Sequence, residues 1–185
     1  MMTELSLNVL DVAQNSVKAK ASLIEISVRS DFEKDLMTIV IADNGYGMDE
    51  QQLAAVCDPF YTTRTTRKVG LGVSFFKLAA ESAGGEFSIT SEKGVGTTVT
   101  ASFEISNIDR MPLGDMTATM HSLITLNVDV DFVYNYRVDD KEFTLDTREF
   151  REILEGVPFD VPEVSEYIRE YLSSNKEEVD SGKIL

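Results

Sequence analysis

Cysteine and histidine are almost absent from this sequence of 185 residues, which holds one of each. Cys57 therefore has no partner for an internal disulfide, a CxxC redox pair or a cysteine zinc site, a usage that fits the reducing cytoplasm. Long apolar runs are missing too. None approaches the roughly 18 residues of a membrane span, and Glu4 stands where a secretory signal needs positive charge. No membrane partner is expected. Basic residues are scarce, with 17 Lys and Arg against 32 Asp and Glu, a formal net charge of -15. Such a surface repels phosphate backbones, which argues against nucleic acid and for a protein or small-molecule partner.

What is present suits one ordinary core, or a core with an appendage: 43% of residues are apolar and 26% charged. The acidic excess is uneven. Residues 1–105 hold 9 Lys/Arg and 14 Asp/Glu, or -5, whereas residues 106–185 hold 8 and 18, or -10. A boundary is expected near residue 105, with residues 106–112, ending at Pro112, as connector.

Thr3 is placed to cap a helix reaching about Lys20, with Leu5, Val9, Val12, Ala13, Ser16 and Val17 on one face. Ile24, Ile26 and Val28 alternate as a strand, and the apolar run from Leu36 to Ile41 reads as a central strand. A short helix is expected from Asp49 to Val56, then an irregular stretch from Asp58 to Val69, then a helix from Leu71 to Ala83. Phe87 and Ile89 face Val99, Ala101 and Phe103 across Lys93-Gly94-Val95-Gly96 as a hairpin. Beyond the connector come a helix from Leu113 to Leu126, a hairpin carrying Phe132, Tyr134 and Tyr136, a helix from Thr147 to Leu154, and a last helix opened by Pro162. The polar stretch from Ser173 to Lys183 is expected to fray. The aromatic residues of this tail are expected to form a small extra core under two helices.

Three clusters carry chemistry. Asp11, Asn15 and Lys18 stand at i, i+4 and i+7 on the polar face of the first helix. An amide oxygen suits a magnesium ion that keeps several waters, an ammonium suits phosphate oxygens, and a carboxylate can orient or deprotonate water. Asp43-Asn44-Gly45-Tyr46-Gly47-Met48 ends an apolar strand, where the glycines let a planar ligand approach the backbone and a partly buried Asp43 requires a donor. Gly70-Leu71-Gly72 opens a helix after Arg64, Arg67 and Lys68, and helix-start N–H groups with nearby cations bind phosphate.

In this order, the segments resemble the histidine-kinase-like ATPase domain, the GHKL superfamily shared by sensor histidine kinases, gyrase, heat-shock chaperones and mismatch-repair ATPases. The resemblance runs through Leu10-Asp-Val-Ala-Gln-Asn-Ser-Val-Lys18, Asp43-Asn-Gly-Tyr-Gly-Met48, Asp58-Pro-Phe-Tyr-Thr-Thr63, Gly70-Leu-Gly72 and Gly96-Thr-Thr98. It implies an α+β fold, a two-layer α/β sandwich of the Bergerat type over residues 1–105, with residues 106–185 as an acidic α/β extension. It implies ATP and Mg2+ as cofactors. Asn15 is then the metal ligand, Asp43 the acceptor of the adenine amino group assisted by Thr97 through water, and Gly45, Gly47 and Met48 the lining of the base pocket. Phe60 anchors a lid over about 58–69 that includes Thr63, Arg64, Arg67 and Lys68. Gly70, Leu71 and Gly72 face the phosphates, and Lys18 matches a lysine of many histidine kinases.

Two departures bear on activity. Asp11, the candidate catalytic residue, stands where hydrolysing members carry a glutamate one methylene longer, and Lys68 replaces a lid glycine. A phosphoacceptor hairpin is not found ahead of the first helix, and His121 does not stand in an acceptor motif, so autokinase activity of the usual kind is not expected. Lys141 and Lys176 match no transducer lysine. Anti-sigma factors and their serine kinases are the nearest functional analogues. Two alternatives stay open: phosphoryl transfer to a separate protein or slow hydrolysis, and a regulatory module in which ATP or ADP switches affinity for a protein partner docked on residues 106–185.

Overall fold

Alternation is the organising feature of the strands, and it is nearly unbroken. In β1 (Leu23–Asp31), which follows helix α1 (Leu5–Lys18), Ile24, Ile26 and Val28 are fully buried while their neighbours face outward. β2 (Leu36–Asp43) repeats this with Met37, Ile39 and Ile41. Because side chains on a strand change faces at every residue, one face of such a sheet is committed to a core and the other to solvent. The computed structural model describes residues 3–56, 72–183 and 185. Its remaining elements are α2 (Glu50–Val56), α3 (Gly72–Ser82), β3 (Phe87–Glu92), β4 (Gly96–Glu104), α4 (Met116–Leu126), β5 (Asp131–Val138), β6 (Lys141–Asp146), α5 (Thr147–Ile153) and α6 (Pro162–Asp180).

The six strands form one sheet in the order β3-β4-β2-β1-β5-β6. All neighbours are antiparallel except β1 and β5, which run parallel over Leu23 to Ser30. α3, α1, α4 and α6 lie side by side on the covered face, each touching the next. The opposite face carries Thr98 and Thr100 of β4, Thr38 of β2, Ser27 of β1, Asn135 of β5 and Thr144 of β6. This is the two-layer α+β sandwich that the motifs imply. Among the described residues no helix is long and apolar enough to cross a membrane.

Residues 106–185 supply a helix, a hairpin and two helices, but the small extra core expected there is not separate. Phe132, Tyr134 and Tyr136 sit beside Ile24, Ile26 and Val28 on the covered face, and their cluster is continuous with that of α1 and β1. Each large apolar side chain buried this way contributes about 1.5–3 kcal/mol. Arg151 of α5 ties the entrance of β5: Nε donates to Asp131 Oδ1 at 2.7 Å and Nη2 to the Val128 carbonyl at 2.5 Å, while the guanidinium lies 4.6 Å from the Phe159 ring centre.

Three local expectations are corrected. The stretch from Ser173 does not fray, because α6 continues to Asp180 and buries Val179 and Asp180. Its polar composition conceals a buried network in which the Asp180 carboxylate accepts from Tyr136 Oη at 3.1 Å, Lys176 Nζ at 2.6 Å and Gly182 N at 2.9 Å. Burial, and then the Asp180 charge, push the Tyr136 phenol far above its ordinary range, so it stays a donor. Thr3 does not cap α1: Glu4 is the N-cap residue and makes no side-chain cap bond. The first amides are satisfied instead by the connector, Leu5 N donating to the Pro112 carbonyl at 2.9 Å and Ser6 N to that of Leu113 at 2.8 Å. α4 starts at Met116 rather than Leu113, since Asp115 is the residue that caps it, accepting from Ala118 N at 2.8 Å.

Candidate functional site

The site is built where the C-terminal half of α1 meets the ends of β2 and β4. Asp11 and Lys18 are exposed and Asn15 is half-buried, so the polar face of α1 expected from the i, i+4, i+7 spacing is present. Ser16, one residue on, lies on the opposite, interior face and is 4% exposed. Its hydroxyl donates to Asp43 Oδ2 at 2.5 Å. Asp43 is the last residue of β2 and pairs in register with Thr97 of β4, so the two side chains share the covered face at its edge. The second carboxylate oxygen, Oδ1, accepts from Gly45 N at 2.9 Å.

The loop after β2 is stitched down on both sides. Asn44 Oδ1 accepts from the amides of Ser22 and Leu23 at 2.9 and 3.0 Å, and Tyr46 N donates to the Ala19 carbonyl at 2.9 Å, which joins the loop to the α1–β1 turn. On the other side Met48 N donates to Ser91 Oγ at 2.8 Å, and Ser91 Oγ lies 2.8 Å from Thr97 Oγ1 and 3.0 Å from the Gly96 carbonyl. Two glycines are required by this closeness. Gly47 has φ +64° and a Cβ there would overlap the Glu92 carbonyl; Gly96 has φ +145° and a Cβ would overlap the Asp43 carbonyl. The loop after β2 and the start of β4 therefore meet backbone to backbone at Asp43 and Glu92.

Asp43, Gly45, Gly47, Met48 and Thr97 are thus brought together, with Asn15 next to Ser16 on α1 and Asp11 one turn before it. Gly72, the first residue of α3, packs so closely on Asp11 that an added Cβ would come within 2.8 Å of the Asp11 Cβ. The expected lid and phosphate positions Phe60, Thr63, Arg64, Arg67, Lys68, Gly70 and Leu71 lie outside the described residues. Ser16 and Ser91 are the site residues that the motifs miss. A signal existed for Ser16: a hydroxyl on an otherwise apolar helix face needs a buried partner.

Among the described residues no group of three or more His, Cys, Asp and Glu could hold a metal. A single amide oxygen, Asn15, beside anions supplied by a phosphate is instead a donor set suited to a magnesium ion that keeps its waters. An open groove of about 720 Å³ between α4 and α6 lies elsewhere, beside the first turn of α1 at Glu4. It sets Arg169 and Lys176 against Glu4, Asp115, Glu177 and Asp180, an excess of acidic groups.

Comparison with known proteins identifies the family and the fold. A family model described as "Histidine kinase-, DNA gyrase B-, and HSP90-like ATPase" matches residues 2–107, more than half of the chain. A putative sensor protein of Shewanella frigidimarina is 30% identical over 104 residues, covering 56% of this chain and 16% of that protein. Histidine protein kinase DivJ of Caulobacter vibrioides is 30% identical over 95 residues, covering 49% of this chain and 16% of the kinase. The chain thus spans about one sixth of the length of these curated relatives. Among solved structures, the N-terminal domain of a DNA repair protein matches with a TM-score of 0.53 at 17% identity, covering 78% of this chain and 53% of that one, a likeness of fold.

Proposed function

The chain belongs to the histidine kinase-, DNA gyrase B- and HSP90-like ATPase family, and from that premise we propose that it binds Mg-ATP and either passes the terminal phosphoryl group to a separate protein or hydrolyses it slowly. The observation that carries the reading is the Asp43 carboxylate, held by Ser16 and Gly45 in register with Thr97. A purine amino group donating to that carboxylate satisfies a partly buried acceptor, and Thr97 reaches the same ring through water. Gly45, Gly47 and Met48 line the base. Asn15 would hold Mg2+, Lys18 would meet phosphate oxygens, and Phe60, Thr63, Arg64, Arg67, Lys68, Gly70, Leu71 and Gly72 are the remaining candidate nucleotide-binding positions. The bound ion supplies charge neutralisation on the phosphate oxygens. Asp11 accepts the proton of the attacking hydroxyl or water.

A second reading, a nucleotide-dependent regulatory module without turnover, is favoured by Asp11 itself. Its side chain is a methylene short of glutamate and packs against Gly72. The acidic segment 106–185 would then present the partner surface, in a cytoplasmic signalling role.

Thermal melting with MgATP, MgADP and MgGTP tests binding. Nucleotide at 100 times its Kd adds about 2.7 kcal/mol, a rise of several degrees for a chain of this size. Both adenine nucleotides should raise the melting temperature, and Asp43→Asn should shrink the rise; no response from the unmodified chain refutes the reading. Release of labelled phosphate, or its transfer to protein in an extract, separates the two readings, because Asp11→Asn should abolish turnover under the first and leave a nucleotide-dependent change in partner affinity under the second.

A further inference from the structure

We infer that Ser16 is a positioning residue for base recognition, an inference that rests on the ATP reading and assigns Ser16 the task of aiming the Asp43 carboxylate at the exocyclic amino group of adenine. A carboxylate held by one hydrogen bond can still swing about that bond. Asp43 has two, on different oxygens: Gly45 N on Oδ1 at 2.9 Å and Ser16 Oγ on Oδ2 at 2.5 Å. Together they fix the plane of the carboxylate, and each oxygen keeps a lone pair for a further donor. Ser16 can hold its aim because it is itself held. It is 4% exposed, sits in the last full turn of α1, and its carbonyl accepts from Ala21 N at 3.2 Å.

The placement on α1 adds a second consequence. Asn15 and Ser16 are successive residues of one helix pointing to different faces, Asn15 to the half-open polar side and Ser16 to the interior. The metal ligand and the device that aims the base acceptor therefore share one rigid backbone segment. The spacing between the two ends of the nucleotide is then tied to the packing of α1 against the end of β2, which the Ser16–Asp43 hydrogen bond bridges.

The test compares two probes that differ only at the amino group, ATP and purine riboside triphosphate, each with magnesium, binding to the full chain. The unmodified chain should prefer ATP. Ser16→Ala should lower ATP affinity about tenfold, the worth of one well-aligned hydrogen bond, and leave the affinity for the amino-lacking analogue unchanged, so that the preference collapses. A role in structure alone would weaken both probes equally. Ser16→Cys, close in shape but with a much weaker donor, should show the same collapse and keeps the test open if the alanine variant folds poorly. In an Asp43→Asn background, Ser16→Ala should have no further effect on ATP affinity, because the hydroxyl acts through the carboxylate. An unmodified chain that binds ATP with a preference that both Ser16 variants retain overturns the inference. An unmodified chain that binds neither probe overturns the ATP reading and the inference with it.

Discussion

Removing residues 108–185 is the perturbation that most directly measures how the nucleotide-binding half is held together. The family match ends at residue 107, yet the sheet continues across that point. The cut strips β5 from β1 along Leu23 to Ser30 and removes α4 from α1. Ile24, Ile26 and Val28, all fully buried, lose the flanking Phe132, Tyr134 and Tyr136, and α1 loses the helix packed beside it. If these three side chains and two of α1 are each half uncovered, the loss is about 4–7 kcal/mol at roughly 1.5–3 kcal/mol for complete burial. The first two amides of α1 also lose their Pro112 and Leu113 acceptors. A domain of ordinary stability has about 5–15 kcal/mol in total, so fragment 1–107 is expected to sit at or below its folding threshold. Circular dichroism of the fragment during heating and urea titration should show no cooperative transition, whereas the full chain should unfold in a single one. A fragment that melts cooperatively with the urea midpoint of the full chain would refute the burial argument and would show residues 1–107 to be a self-sufficient unit.

Two further outcomes follow from polar groups drawn out of water, one half-buried and one buried. Burial, and next the Arg169 charge, lower the affinity of His121 for its proton below the ordinary imidazole value near 6.5, with Ser165 and Glu166 opposing only in part. A group depressed in the folded state contributes stability that is complete above its unfolded value and lost as pH falls through its folded one. The melting temperature should therefore decline below about pH 6.5 more steeply in the unmodified chain than in His121→Gln, and equal slopes would count against a partly desolvated neutral imidazole. Ser30 is 2% exposed and its hydroxyl has no hydrogen-bond partner among the described residues. Ser30→Ala removes an unsatisfied polar group without opening a cavity and should raise stability by about 1 kcal/mol, read as a rightward shift of the urea midpoint; a leftward shift would mean the hydroxyl has a partner.

What could be read from the sequence was whatever repeats locally. Period two in Ile24-Ile26-Val28 and the helical spacing on α1 survive in the structure because burial on one face imposes them. The parallel pairing of β1 with β5 left no such trace. The two strands are separated by about a hundred residues, and nothing in either states its partner, because any half-buried strand of matching pattern would serve. α6 went unseen past Ser173 for a related reason: Leu172 and Val179 are seven residues apart with only polar residues between them, too sparse a stripe to register, yet seven residues return to the same helix face.

The candidate site divides along the same line. Asp11, Asn15 and Lys18 were legible because a helix converts spacing into a shared face, and Asp43 because a glycine-rich break after an apolar strand marks a place where backbone is exposed to a ligand. Ser16 and Ser91 act through contacts made across the fold, 27 and 43 residues away in sequence. A serine hydroxyl is small enough to be tolerated on an apolar face, and its purpose becomes visible only once the acceptor has arrived. Residues that touch a ligand recur in motifs because chemistry dictates their type. Those that aim the first set are dictated by geometry particular to one packing arrangement, so a motif can name Asp43 while the packing alone identifies the hydroxyl that holds it.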